Sequence, residues 1–179
     1  MKIDLDPSFL HELFEYNFET GVLVWKNRPR IHFNSDRAWH IASRKYAGKV
    51  AGYLNSKGYR CIEITKNGKT YAYKAHRVVW AMMTGRWPVY EIDHIDLDKD
   101  NNKFRNLREA THLENSYNKS ARRGSRTGVK GVAQRGRRYS ATIVANGKQI
   151  YLGRFDTIEQ ASDAYRCGAT IFHGKFARI

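Results

Sequence analysis

The chain has 179 residues, enough for one ordinary domain or two small ones and too few for a large multidomain enzyme. Its 32 Lys+Arg against 17 Asp+Glu give a formal charge of +15, which favours a polyanionic partner, nucleic acid before an anionic membrane surface. A 41% hydrophobic and 13% aromatic composition excludes wholesale disorder, an apolar run of only six residues (78–83) excludes a membrane span there, and two cysteines without ligand spacing argue against a disulfide framework or a thiolate zinc site.

In chain order, Asp6-Pro7 followed by Phe9, Leu10, Leu13 and Phe14 predicts a short helix. Acids near the N-terminus do not fit a signal peptide, so a soluble protein inside the cell is expected. Glu19-Thr20-Gly21 reads as a turn into a strand at 22–25. Residues 28–48 show little periodicity; Arg28, Arg30, Arg37, Arg44 and Lys45 make them a candidate DNA-contacting loop. Strands follow at 52–54, 59–65 and 69–73, with Asn67-Gly68 as a hairpin turn because both central positions favour positive φ. Residues 76–84 suit a helix closed by Gly85, and 89–92 a strand. The segment KSARRGSRTG (119–128) has a linker composition with phosphate-seeking charge. Beyond it the pattern reads three strands, at 128–134, 139–145 and 149–155, with Asn146-Gly147 as a second hairpin turn. A helix then starts at a Thr157/Gln160 capping box, with Ile158, Ala161, Ala164, Tyr165, Ala169 and Phe172 at helical spacing.

Chemistry concentrates at 91–119, EIDHIDLDKDNNKFRNLREATHLENSYNK. Asp93 and His94 adjoin at a strand end and could flank one site; Asn106 and Asn115 follow. Hydrolysing a phosphodiester requires a deprotonated water, a neutralised phosphate and a stabilised leaving oxygen. A neutral histidine can take the proton, and a hard divalent cation on Asp and Asn oxygens can do the rest. The stretch DLDKDNN (96–102) is not a calcium loop, since it lacks the Gly at the sixth position and the Glu at the twelfth.

The pattern DH-x11-N-x8-N, with NNKFRNLR and LENSYN around it, closely resembles HNH nucleases, in particular the bacteriophage group related to intron-encoded homing endonucleases. LFEYNFETGVLVWKNR (13–28) and AHRVVWAMMTGRWP (75–88) resemble the lead-in of phage members, so the likeness covers most of 9–120. It implies two strands and a helix gripping one metal, with Asp93 and Asn115 as ligands, His94 as general base and Asn106 orienting His94. The last histidine of the full pattern stands as Asn115, and two oxygen ligands make Mg²⁺ the expected ion, Mn²⁺ the alternative, ahead of Zn²⁺. His112 is a rival ligand, His76 reads as structural, and Arg105 and Arg108 are candidate phosphate contacts.

Residues 121–179 hold 12 basic and 3 acidic side chains. KGVAQR (130–135), IYLGRFDT (150–157), QASDAYRCGA (160–169) and HGKFARI (173–179) resemble the DNA-binding domain of plant ethylene-response factors, the APETALA-two type. That likeness implies a sheet in the major groove, with Lys130, Arg135 and Tyr151 at DNA-contacting positions. Ala133, Val144 and Gln149 depart from the plant pattern, so its target sequence does not carry over; Arg137, Arg138, Lys148 and Arg154 could compensate through phosphate, as could Arg122 and Arg123 of the linker.

The expectation is an α+β chain. An HNH nuclease domain at 1–119 has two strands and a helix around one metal, with preceding β-hairpins; a basic linker spans 120–127. An ethylene-response-factor-like domain at 128–179 is a three-stranded antiparallel sheet packed on one helix. The expected activity is metal-dependent hydrolysis of double-stranded DNA by a site-biased homing-type nuclease or nickase, in the cytoplasm of a phage-infected bacterial cell, with no membrane partner. A monomer is expected, and a dimer if both strands are cut. The alternatives are a non-catalytic DNA-binding protein with a decayed nuclease domain, and a structure-directed phage nuclease.

Overall fold

The computed structural model of the chain describes residues 4–178. The chain divides into two compact units, Met1–Glu109 and Ala110–Ile179.

In the first unit, the Asp6 carboxylate accepts the Ser8 N–H and Pro7 opens helix α1 (Pro7–Leu13), which buries Leu10 and Leu13 one turn apart. Strands β1 (Phe14–Tyr16) and β2 (Leu23–Trp25) pair antiparallel, Phe14 opposite Trp25. The region read as aperiodic contains a 3₁₀ turn (Arg30–His32) and a helix, α2 (Asp36–Tyr46), capped by Ser35. That helix was not legible because it has no buried residue, and its half-buried inner side is marked only by Trp39, Ala42 and Ser43.

Strands β3 (Tyr53–Leu54), β4 (Arg60–Lys66) and β5 (Lys69–Lys74) form an antiparallel sheet, and Asn67 and Gly68 take the expected positive φ of 52° and 73°. Alternation sends Ile62, Ile64 and Tyr73 inward against helix α3 (Ala75–Thr84), whose Val78 and Val79 are fully buried. Gly85, with φ 71°, ends α3 by donating to Ala81 O. Leu10, Leu13 and Phe14 complete this core. Strands β6 (Glu91–His94) and β7 (Leu107–Ala110) then pair, joined by the loop 95–106.

In the second unit, helix α4 (His112–Tyr117) begins at a Thr111/Glu114 capping box. Strands β8 (Val132–Arg135), β9 (Arg138–Ala145) and β10 (Lys148–Phe155) form an antiparallel sheet in the order β10-β9-β8, packed on helix α5 (Ile158–His173). Thr157 and Gln160 make the expected capping box, and Asn146 and Gly147 the expected turn. The first strand starts four residues later than expected because Gly128 and Gly131 turn the chain at φ 65° and 72°. Ala161, Tyr165 and Ala169 are buried as read; Phe172 is 43% exposed, and His173 is buried beside it instead. Gly168 lets α5 approach Leu152, which a Cβ would meet at 2.8 Å. No helix among the described residues is long and apolar enough to cross a membrane.

Candidate active site

Strand β6 runs two residues beyond the expected 89–92 and carries both Asp93 and His94, each 4% exposed. Because neighbours on a strand project to opposite sides, the two side chains meet different surroundings. Asp93 faces β7: one carboxylate oxygen accepts from Arg108 Nε at 2.8 Å and from its terminal NH2 at 2.7 Å. Arg108 therefore stands on the carboxylate expected to hold metal. The imidazole of His94 lies against α3 and the chain entering β4. Its ring centre is 4.9 Å from His76, edge to face, and 6.0 Å from Tyr59, which also contacts His76. His76, expected to be structural, is thus a buried wall of the His94 pocket.

His94 Nε2 lies 3.5 Å from Asn102 Oδ1. Burial pushes the His94 pKa below its ordinary value, opposed by Asn102 and by the carboxylates of Asp96, Asp93 and Asp98. The Asn106 amide works on the loop instead: its oxygen accepts the Asp96 N–H, and its NH2 donates to Asp96 Oδ1 and Asn101 O, each at 2.9 Å. Asn106 thus binds the two ends of the loop between His94 and β7, and Asn102 is the asparagine beside the imidazole.

Asn102 is held from several sides. Tyr16 of β1 donates its hydroxyl to Asn102 O and accepts the Phe104 N–H. Gly21, with φ 75°, packs so closely on this backbone that a Cβ would lie 2.6 Å from the Asn102 carbonyl carbon. Arg60 of β4 forks onto Asp100 with two 2.9 Å bonds. The β1–β2 hairpin and the central sheet therefore fix the loop that carries Asn102. No sequence pattern marked this residue among its neighbouring asparagines; only its contact partner distinguishes it.

A family model for HNH endonuclease matches residues 73–117. An HNH endonuclease of Acanthamoeba polyphaga mimivirus is 31% identical over 160 residues, covering 87% of this chain and 78% of that protein. The chain belongs to the HNH endonuclease family. Protein 3.8 of Escherichia phage T7 is 37% identical over 113 residues, 60% of this chain and 93% of that protein. The solved structure of the HNH homing endonuclease I-HmuI aligns with a TM-score of 0.42 at 19% identity, over 94% of this chain and 90% of that one.

The second unit of this HNH endonuclease carries the remaining expected residues. Asn115 sits half-buried on α4, which ends at Tyr117; Asn118 is the buried cap and Lys119 is exposed. His112 is exposed at the start of α4. Tyr117 stacks flat on His173 at 3.7 Å and its hydroxyl accepts the Asn146 N–H. Lys130 is half-buried and donates to the carbonyls of Ser116 at 3.2 Å and Tyr117 at 2.6 Å. Its ammonium thus satisfies the C-terminal end of α4. Burial, with Arg178 and Lys119 nearby, lowers its pKa to about 8.

Register places Arg135 opposite Arg138, Arg154 opposite Ser140 and Tyr151 opposite Thr142, on the sheet face away from α5. Tyr151 is 63% exposed there. Arg138 pairs with Asp156 at 2.6 Å, and Arg154 donates to Arg135 O. Arg137 and Lys148 are exposed at the two hairpin turns. Arg122 and Arg123 line, with Lys119, Arg135 and Gln149, a cavity of about 840 Å³ between the linker and this sheet.

The donors expected for a metal are one buried carboxylate oxygen pair, Asp93, and one amide oxygen, Asn115. Among the described residues no group of three or more His, Cys, Asp or Glu is arranged so that it could hold a metal ion. Carboxylate and amide oxygens are each the kind of donor that a hard cation takes while keeping several waters.

Proposed function

We propose that this HNH endonuclease hydrolyses phosphodiester bonds of double-stranded DNA with a divalent metal, Mg²⁺ or Mn²⁺, as a site-biased nuclease or nickase of the homing type. The observation that carries the reading is a buried imidazole, its pKa lowered by burial, on a residue that follows a buried carboxylate in the same strand, His94 after Asp93. A lowered pKa keeps His94 neutral at pH 7, the form that can take a proton.

His94 is the general base. With its Nε2–H directed to the Asn102 carbonyl, the basic lone pair resides on the other ring nitrogen. His94 takes a proton from water as the water oxygen bonds to phosphorus; the bond from phosphorus to the 3′-oxygen breaks, and that oxygen takes a proton from solvent, leaving a 5′-phosphate and a 3′-hydroxyl. Asp93 and Asn115 would hold the cation, which when bound neutralises the phosphate and stabilises the leaving oxygen. Asn106 keeps the loop closed behind His94, and Arg108 holds the Asp93 carboxylate in one orientation.

By function, residues 1–119 form the nuclease, 120–127 a basic linker, and 128–179 a DNA-binding domain of the ethylene-response-factor type. Three antiparallel strands on one helix, with an arginine-bearing open face, support that last assignment. Arg135, Arg137, Arg138, Lys148, Tyr151, Arg154, Arg122 and Arg123 are its contacts with duplex DNA. Lys130 would act from its cap on α4. One site cuts one strand per engagement, so a monomer nicks and a dimer would break the duplex. The relative in a phage supports action in the cytoplasm of an infected bacterial cell.

The test is cleavage of supercoiled DNA by wild type and His94→Ala, with Mg²⁺, Mn²⁺ or chelator. Metal-dependent open circles or linear product from wild type alone are expected, with DNA binding retained by the variant. Equal cleavage by both proteins would remove His94 as the base; binding without cleavage under any metal would replace the nuclease by a binding protein.

A further inference from the structure

The chain leaves β2 at Trp25 and returns to the same strand at 48–51. Trp25 N donates to Lys49 O, Gly48 N to Trp25 O, and Ala51 N to Leu23 O. The intervening residues form an excursion pinned at its base: a 3₁₀ turn, then α2. None of residues 26–50 belongs to the hydrophobic core of the first unit, whose members step from Trp25 to Ala51. Tyr46 against Trp25 and His32 against Phe9 tether its edges, but core burial does not explain why so long an excursion is kept.

Its charge distribution does offer a reason. Residues 26–49 contain seven Lys or Arg and one acid, Asp36, which is ion-paired with Arg30. The rest of residues 1–109 holds twelve basic and twelve acidic side chains, so the excursion carries all of that region's surplus charge. Helix α2 orients it. Trp39, Ala42 and Ser43 are half-buried on the inner side, where the Trp39 indole donates to Arg28 O and the Ser43 hydroxyl to Asn27 Oδ1. Arg37, His40, Ile41, Arg44 and Lys45 are exposed on the outer side, at the i, i+3, i+4, i+7 spacing that makes one stripe. Residues 37 to 45 span about 12 Å of helix axis at 1.5 Å per residue. Duplex DNA presents one phosphate per about 1.7 Å, so this stripe matches several phosphates of one backbone.

We propose that α2 and its 3₁₀ turn form a second DNA-binding surface in the nuclease unit, gripping the phosphate backbone through Arg37, Arg44 and Lys45. The proposal rests on the reading that the chain acts on DNA. The β1–β2 hairpin links this surface to the chemistry: its turn packs Gly21 on the loop of Asn102, and its last residue, Trp25, anchors the excursion. Phosphates bound by α2 are thereby held in a fixed relation to the loop beside His94, which sets the register of the scissile strand.

The test measures the affinity of the full chain for duplex DNA as a function of salt. Arg37→Gln/Arg44→Gln/Lys45→Gln is compared with wild type and with a charge-matched control, Lys57→Gln/Lys66→Gln/Lys69→Gln. Each lost phosphate contact should make the slope of log K against log salt shallower by about 0.9. The α2 variant should therefore lose between two and three units of slope, the control less than one, and Arg37→Lys/Arg44→Lys should keep the wild-type slope. Melting temperatures verify the folds. An unchanged slope in the α2 variant, or an equal loss in the control, overturns the proposal while leaving the nuclease reading intact. Wild type that binds no DNA overturns both. Loss of binding to phosphatidylserine vesicles, with the duplex slope unchanged, would reassign the surface to membranes.

Discussion

Arg108 and Asp93 form a half-closed charge pair with two short bonds to one carboxylate oxygen and little solvent around either side chain. Removing one partner of such a pair withdraws the opposite charge from a buried group, which costs up to roughly 3–5 kcal/mol. Arg108→Ala should therefore lower the urea midpoint by a stability loss of about that size, and Arg108→Lys by less. A midpoint unchanged in the alanine variant would show that Arg108 does not hold Asp93. The residue was singled out in the sequence as a phosphate contact; its partner in the structure is the carboxylate across the strand pair. The asparagines divide in the same way. Asn106 was expected at the imidazole, yet its amide closes the loop on Asp96, and Asn102 stands at His94 Nε2. Identical side chains four residues apart differ only in where the loop points them.

Helix α4 shows how one element can depend on a distant side chain. It has six residues, too short to hold itself together. Its start is satisfied locally by Thr111 and Glu114, and its end by the Lys130 ammonium, with Tyr117 clamped on His173 and the Asn146 turn. Folding lowers the Lys130 pKa from 10.5 to about 8, chiefly by burial. The ammonium form is therefore penalised in the folded state, in full below about pH 8. Between about 8 and 10.5 the unfolded chain binds more protons, so folding should gain stability as pH rises through that window. Wild type should become more stable relative to Lys130→Met over pH 8 to 10.5, as read by urea unfolding at each pH. Parallel curves for the two proteins would show that Lys130 stays solvated. Other elements follow from their own residues: the hairpins at Asn67-Gly68 and Asn146-Gly147, the Gly85 stop and the Thr157 cap all formed where local backbone preference predicts.

Across the whole molecule the net charge of +15 has two foci, the α2 excursion and the region from Arg122 onward. If each unit grips the same polyanion through its own surface, as proposed, the two should contribute independently to the counterions released. Arg135→Gln/Arg138→Gln/Arg154→Gln should make the salt slope shallower by two to three units, and combining it with the α2 substitutions should remove about twice that. A combined variant no worse than either parent would mean that the two surfaces do not hold the same duplex. The Arg138–Asp156 pair lost in this variant is exposed and contributes little to stability, so the melting temperature should hold.

Sequence alone established the HNH pattern around Asp93 and His94, the α+β composition, and the order strand-strand-strand-helix at the C-terminus. The first rests on a family resemblance, and the others rest on short-range signals: alternation, periodicity and turn chemistry that act within a few positions. Tertiary structure alone decided that an aperiodic stretch holds the α2 helix, that Arg108 serves Asp93, that Asn102 and His76 surround His94, and that Lys130 caps α4. These depend on which side chains meet after the chain has folded back over tens of residues. Buried charges and donors must find partners wherever packing brings them, and a linear pattern does not specify that choice.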